Sequence, residues 1–142
     1  MYYGIIENIF LEKLEKEKLL VSIIIRTKNE EEWISKVLKS VFNQSYKNIE
    51  VIIVDNKSTD STLKRVKEFP VKIVEIENFL PGKAINLGIS KSKGEILCIL
   101  SGHCIPFNED WLINLIEPLK DKDIAGCYGR QIPTANSSNI DK

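Results

Sequence analysis

The sequence predicts an α/β fold with a mainly parallel sheet and helices on both of its faces. From residue 19 onward, short runs rich in β-branched residues alternate with longer stretches whose apolar residues recur about every 3.6 positions. Strands that are joined through helices lie parallel, because such crossover connections are right-handed. The 142 residues are enough for one domain with its own hydrophobic core.

Four apolar runs have the length and composition of β-strands, since isoleucine and valine dominate most of them and polar residues follow each one. They cover residues 20–26, 49–55, 71–76 and 95–100. Each interval between consecutive runs is long enough to hold a helical crossover. The four runs therefore predict one sheet of four strands.

Three amphipathic stretches separate the strands, and a fourth follows the last strand. They cover residues 30–43, 59–69, 83–93 and 109–120. We predict that Asn29 caps the first of these helices and that Gly94 stops the third. Pro118 is expected to disturb the end of the fourth helix, because proline lacks the backbone N–H that a helix needs.

Residues 1–18 and 133–142 differ in composition from the domain predicted at residues 19–132. In the first segment apolar residues fall on one side of a helix, which predicts an N-terminal amphipathic helix. We expect it to pack on the domain or on a second copy of the chain, as in a homodimer. A membrane-surface position is the alternative, although the charges of the segment are mixed rather than basic. The last segment is polar and predicts a tail.

Charge and cysteine content exclude several classes of protein. Twenty basic and 20 acidic side chains give a formal net charge of 0, so we predict no nucleic-acid partner. No apolar run approaches the roughly 18–20 residues that span a bilayer. Three cysteines are too few for a disulfide framework and indicate a reducing compartment. We expect a cytoplasmic protein, with a peripheral position at the inner membrane face as the alternative.

Polar segments follow three of the predicted strands, where an open parallel sheet binds its ligands. They cover residues 26–30, 55–60 and 101–104, and we expect them to converge on one rim. Asp55 ends an apolar strand and is placed to accept hydrogen bonds from a nucleobase or ribose; the alternative is a role in the turn. No glycine-rich phosphate loop follows the first strand, which argues against a dinucleotide-binding or P-loop domain.

Spaced motifs between residues 27 and 90 agree in order with those of one enzyme family. They are Thr-x-Asn-Glu at 27–30, Ser-Val-x-x-Gln-x-Tyr at 40–46, Val-Asp-x-x-Ser-Thr-Asp at 54–60 and the segment GKAINLGIS at 82–90. With these motifs the chain resembles family 2 glycosyltransferases, which have the GT-A fold. The resemblance covers about residues 20–132 and implies the N-terminal, nucleotide-sugar-binding part of such an enzyme.

The resemblance implies transfer of a sugar from a nucleotide-diphosphate donor to an acceptor hydroxyl, with inversion at the anomeric carbon. The partners would be a nucleotide-diphospho-sugar and a glycan or lipid-linked acceptor. The residues that would line the donor site by this resemblance are Thr27, Asn29, Glu30, Asp55, Lys83 and Ser101. Lys83 would bring a positive charge near the base or the diphosphate, or else be a solvated lysine in the first turn of its helix.

The chain departs from the family at the end of the fourth strand. The family places an Asp-x-Asp there, whose carboxylates hold a divalent cation such as manganese or magnesium on the diphosphate. Here Ser101-Gly102-His103 stand in its place, and His103 is the single histidine of the chain. Three alternatives follow: His103 is a metal ligand, it donates a hydrogen bond or a positive charge to the diphosphate without a metal, or the site is inactive.

Family 2 domains are longer than this chain, so the resemblance implies a GT-A fold that is incomplete at its C-terminus. The general base and the acceptor-binding half are expected beyond Lys142. The chain would then be the donor-binding half of a glycosyltransferase. The alternative is a non-catalytic nucleotide-binding or dimerisation module derived from the same fold.

Overall fold

The computed structural model describes residues 19–133, and within them four parallel strands alternate with helices in the predicted order. The strands are β1 (Val21–Thr27), β2 (Ile49–Asp55), β3 (Lys72–Glu75) and β4 (Ile96–Ser101). Each lies within one residue of its predicted limits at both ends, which confirms the strand predictions. The predicted helix at 1–18 and nearly all of the predicted tail lie outside the described residues.

The four strands form one sheet in the order β3-β2-β1-β4, with every pairing parallel. Strand β1 is central: Thr27 pairs with Asp55 of β2, and Arg26 pairs with Ser101 of β4. The carboxyl ends of these three strands therefore end side by side at one edge of the sheet.

Helices cover both faces of the sheet, which confirms the predicted α/β fold. They are α1 (Ile34–Phe42), α2 (Thr62–Val66), α3 (Pro81–Ser90) and α4 (Trp111–Ile116), the last continued by a 3-10 turn at Glu117–Lys120 that contains Pro118. Buried residues of α1, α2 and α4 share a core with Ile23 and Ile25 of β1. On the other face, Ala84 of α3 packs with Ile24 of β1. No helix within residues 19–133 is long and apolar enough to cross a membrane.

The predicted cap of the first helix is wrong. Helix α1 begins at Ile34 rather than at residue 30, its N-cap residue is Trp33, and no side chain caps it. Asn29 lies in the preceding loop with a φ of 54°, and its Oδ1 accepts a hydrogen bond from the Thr59 backbone N–H at 2.8 Å. The Asn29 side chain therefore contacts the loop after β2 instead of capping α1.

The predicted stop of the third helix is also misplaced. Helix α3 ends at Ser90 with Lys91 as its C-cap residue. Gly94 lies further on, beside β1, where its backbone N–H donates a hydrogen bond of 2.8 Å to Ser22 Oγ. Gly94 thus guides the chain into β4 rather than ending the helix.

Helix α3 approaches the sheet through Gly88. A Cβ at this position would lie 3.2 Å from Val54 Cγ2 and even nearer to Ile24, both of which are fully buried. We expect Gly88→Ala to lower the free energy of unfolding by about 1–3 kcal/mol, because the core would have to shift to admit a methyl group. Urea denaturation measures this change. Gly82→Ala in the same helix is the matched control, since a Cβ there meets nothing within 4 Å, and an unaltered stability of Gly88→Ala would contradict the close approach.

Candidate functional site

The polar segments after β1, β2 and β4 converge on one rim, as the sequence predicts. The backbone N–H of Asn56 donates to the Thr27 carbonyl at 3.0 Å, and that of Gly102 donates to the Arg26 carbonyl at 2.9 Å. These bonds extend the pairing of the strands into their loops. The loops are therefore fixed relative to one another at the carboxyl edge of the sheet, where ligands of such sheets bind.

Asp55 holds the loops after β1 and β2 together from the inside. It is 0% exposed, and its Oδ1 accepts hydrogen bonds from Thr27 Oγ1 at 2.9 Å and from Ser58 Oγ at 2.5 Å. Its Oδ2 accepts a further bond from the Ser58 backbone N–H at 2.8 Å. The structure thus gives Asp55 the turn role that was the alternative, whereas a contact with a base or ribose stays a prediction. Thr27 is likewise buried, at 3% exposure, so its hydroxyl stabilises the rim through the bond to Asp55 and is not open to a ligand.

A row of hydrogen bonds joins the loop after β1 to the loop after β2. Asn29 donates its backbone N–H to Ser58 Oγ at 2.9 Å. Glu30 donates its backbone N–H to Thr62 Oγ1 at 2.7 Å. The left-handed backbone of Asn29 turns the chain so that these donors face the neighbouring loop. The two loops form one continuous wall of the rim.

Asp60 extends this wall and remains an ionised carboxylate. Its Oδ1 accepts from the Thr62 backbone N–H at 2.9 Å and its Oδ2 from the Glu31 backbone N–H at 3.1 Å. Burial acts to raise the pKa of Asp60, but the hydrogen bonds from the side chain and backbone of Thr62 and from Glu31 outweigh it and lower that pKa. The carboxylate is therefore occupied with structural bonds rather than offered to a ligand.

Glu30 and His103 meet at the rim from two different loops. Glu30 Oε1 lies 2.8 Å from His103 Nδ1. Since a carboxylate only accepts hydrogen bonds, Nδ1 carries the proton of this contact and Nε2 is left for another partner. The His103 side chain is 58% exposed and that of Glu30 17% exposed. The imidazole is thus oriented by Glu30 and open to a ligand.

Ser101 pairs with a residue that sequence reasoning did not place in the site. Arg26 Nη2 donates a hydrogen bond of 3.3 Å to Ser101 Oγ, across the register of β1 and β4. Arg26 is half-buried at the carboxyl edge. The position of Arg26 in the polar segment 26–30 indicated that it lies at the rim. Its pairing with Ser101 depends on the register of β1 and β4, which the sequence does not show. Ser58 was missed for a similar reason, because its role is contact with Asp55.

Lys83 is exposed in the first turn of α3, and no hydrogen bond or ion pair within the described residues joins it to the rest of the rim. Since α3 follows β3, its first turn lies toward the carboxyl edge of the sheet. The structure therefore places Lys83 toward the rim side of the domain without a contact to the residues of the rim, and its predicted role stays a prediction.

The side chains at the rim do not form a metal site by themselves. Residues 19–133 contain no group of three His, Cys, Asp or Glu side chains that could hold a metal ion. Glu30 and His103 supply two donor groups, and the Arg26 guanidinium beside Ser101 adds a positive charge that disfavours a cation. Cys98 adds no thiolate, because burial, reinforced by the charge of Cys127, raises its pKa to about 12. This donor set does not fit a preformed divalent-cation site.

Solved structures with the same topology define the class of protein. A mannosyltransferase from Pyrobaculum calidifontis, in complex with GDP-Man and Mn2+, has a TM-score of 0.68 and 23% identity over 81% of this chain and 40% of that chain. S. aureus TarS residues 1–349, in complex with UDP, has a TM-score of 0.65 and 25% identity over 82% of this chain and 39% of that chain. The chain has the GT-A fold of these glycosyltransferases.

The family follows from the sequence match. The family model "Glycosyl transferase family 2" matches residues 22–140, and the chain belongs to this family. A Methanococcus voltae dolichyl N-acetyl-alpha-D-glucosaminyl phosphate 3-beta-D-2,3-diacetamido-2,3-dideoxy-beta-D-glucuronosyltransferase is 41% identical over 106 residues, 68% of this chain and 33% of that protein. Glycosyltransferase AglE of Haloferax volcanii is 37% identical over 100 residues, 65% of this chain and 33% of that protein. The chain thus spans about a third of the length of these curated relatives.

Proposed function

We propose that this chain carries the donor-binding half of an inverting glycosyltransferase, which moves a sugar from a nucleotide-diphosphate donor to an acceptor hydroxyl. The observation that carries the proposal is the convergence of the polar loops after β1, β2 and β4 at the carboxyl edge of a parallel sheet. The family membership and the nucleotide complexes of structures with the same fold support it. Because the chain spans about a third of its curated relatives, the complete reaction is part of the proposal.

In this proposal the rim divides into supporting and contacting residues. Asp55 and Thr27 hold the wall rigid from inside, since both are buried and bonded to each other at 2.9 Å. Asn29 and Glu30 would contact the donor at the surface of the rim. As an imidazolium, His103 would donate Nδ1–H to the Glu30 carboxylate and Nε2–H to the diphosphate, and it would bring a positive charge to that anion.

We also propose a lipid-linked glycan as the acceptor. The Methanococcus voltae relative is named for a dolichyl N-acetylglucosaminyl phosphate acceptor, and it is 41% identical over the matched residues. A lipid-linked acceptor would bring the enzyme to a membrane face, in agreement with the peripheral position considered from the sequence. Both are proposals about the whole enzyme rather than about the rim described above.

The test of the donor site is a calorimetric titration of the 142-residue chain with UDP, GDP and dTDP and with their sugar derivatives. We expect heat from at least one nucleoside diphosphate and less affinity for the matching nucleoside, because the diphosphate adds charged contacts. Asn29→Ala is expected to weaken that binding by about tenfold, since the loop after β2 loses its acceptor for Thr59 N–H.

Asn43→Ala is the matched control for this titration. Asn43 is exposed at the end of α1, at the opposite edge of the sheet from the rim. Its replacement should leave nucleotide affinity unchanged. The absence of binding to every nucleotide by the unaltered chain would refute the donor site, and equal losses in both variants would place the nucleotide elsewhere.

A further inference from the structure

Arg26 is a half-buried cation without a counter-charge among residues 19–133. Its Nε is buried and has no hydrogen-bond partner, while its Nη2 makes a long bond of 3.3 Å to Ser101 Oγ. None of the ion pairs between described residues includes Arg26. Charged groups that are removed from water are normally paired or fully hydrogen-bonded. Arg26 therefore retains unused donors and an uncompensated charge.

This charge lies where a parallel sheet binds its ligand. Arg26 is the next-to-last residue of β1, and its partner in the register, Ser101, is the last residue of β4. Side chains that alternate along β1 place Arg26 on the same face as Ile24, which is the face covered by α3. The guanidinium is thus at the carboxyl edge of the sheet, on the side where α3 begins.

The residue at position 101 leaves the charge of Arg26 intact. A carboxylate there would form an ion pair with the guanidinium, whereas the Ser101 hydroxyl carries no charge and can itself donate to an anion. A guanidinium presents a planar set of donors that matches two phosphate oxygens at once. Arg26 and Ser101 together therefore suit an anionic ligand and disfavour a cation.

We propose that Arg26, assisted by Ser101 Oγ, binds the diphosphate of the donor. This inference rests on the proposed function, because it names the group that receives the negative charge of the nucleotide-diphosphate donor. The chemistry recognised is an anionic oxygen, which the diphosphate supplies and which a carboxylate on the donor sugar would also supply. Titration with a donor that carries an acidic sugar separates these two sources.

The experiment compares the unaltered chain with Arg26→Gln, Arg26→Lys and Arg65→Gln by calorimetric titration in EDTA. The probes are UDP, GDP and dTDP, the corresponding nucleosides, and UDP-glucuronate as a donor with an acidic sugar. We expect Arg26→Gln to lose about tenfold or more in affinity for the nucleoside diphosphate and to keep its affinity for the nucleoside. Arg26→Lys should recover only part of this loss, because an ammonium group cannot bind two oxygens in the same planar way. Arg65→Gln is the matched control, since Arg65 is exposed on α2.

The outcomes separate this inference from the proposed function. Nucleotide binding that is equal in the unaltered chain and in folded Arg26→Gln would overturn the inference and leave the proposed function standing. No binding by the unaltered chain, either in EDTA or with manganese, would overturn both. A loss confined to UDP-glucuronate would assign Arg26 to the sugar carboxylate and overturn the diphosphate assignment. If circular dichroism shows that Arg26→Gln does not fold, the test rests on Arg26→Lys. Undiminished affinity of that variant for the nucleoside diphosphate would overturn the bidentate contact.

Discussion

Asp55→Ala is expected to lower the free energy of unfolding by about 2–4 kcal/mol, because it removes a fully buried carboxylate that accepts three hydrogen bonds. The hydroxyls of Thr27 and Ser58 and the Ser58 backbone N–H would lose their acceptor. Because Thr27 is buried, its hydroxyl would be left without a hydrogen-bond partner in the interior. Urea denaturation followed by circular dichroism measures the change.

Asp110→Ala is the matched control for stability. Asp110 is the N-cap residue of α4 and is exposed. Its side chain makes no capping hydrogen bond to the helix. Its replacement should alter stability by less than about 0.5 kcal/mol, as is usual for surface positions. A loss in Asp55→Ala no greater than in Asp110→Ala would mean that the bonds of Asp55 do not stabilise the rim.

The same variant separates the two roles considered for Asp55. In the folded fraction of Asp55→Ala we expect the free energy of nucleotide binding to become less favourable by about 1–3 kcal/mol, because the loops after β1 and β2 lose the group that joins them. Asp55→Asn keeps the size of the side chain but turns one acceptor into a donor. A large loss of stability with unchanged affinity would leave Asp55 as a turn residue only.

The strands could be predicted from the sequence because their signal is local. Isoleucine-rich and valine-rich runs such as 49–55 specify both a β conformation and burial on both faces, and the structure places β2 at these limits. The beginning of α1 could not be predicted in the same way. The polar residues before Trp33 suit a helix start, yet Asn29 is bonded to the loop after β2 and Glu30 to Thr62 at the start of α2, and these bonds hold them outside the helix. Tertiary contacts there outweigh local capping.

The composition of the rim was predictable, but its pairings were not. That polar segments after neighbouring parallel strands meet at one edge is a consequence of topology alone. The pairs Glu30–His103 and Arg26–Ser101 depend on the register between β1 and β4, which no single strand encodes. The family resemblance showed that Ser101 and His103 replace two carboxylates. It did not show that the Arg26 guanidinium lies beside Ser101, or that the Glu30 carboxylate lies beside His103.

His103→Ala is expected to weaken nucleoside diphosphate binding by about 1.5–3 kcal/mol, or roughly 10-fold to 150-fold, the range for a hydrogen bond to a charged group. The reason is geometric: Glu30 holds Nδ1 at 2.8 Å, which directs Nε2 away from the Glu30 contact in an imidazole that is 58% exposed. Glu30→Gln should give a smaller loss in the same titration, since the amide oxygen can still accept a hydrogen bond from Nδ1 and only the negative charge beside the ring is removed. Glu68→Gln, exposed beyond α2, is the matched control.

Performing this titration in EDTA and again with manganese distinguishes the roles left open for His103. Residues 19–133 contain no group of three His, Cys, Asp or Glu side chains that could hold a metal ion, and the Arg26 charge lies at the same edge of the sheet, so we expect the two conditions to agree within about threefold. The His103→Ala loss should then be the same in both, as for a residue that contacts the diphosphate directly. Binding that requires manganese, and that loses this requirement in His103→Ala, would instead make His103 a metal ligand. Affinity that is unchanged in His103→Ala under both conditions would remove it from the donor site, because a ring that donates to the diphosphate cannot be deleted without loss.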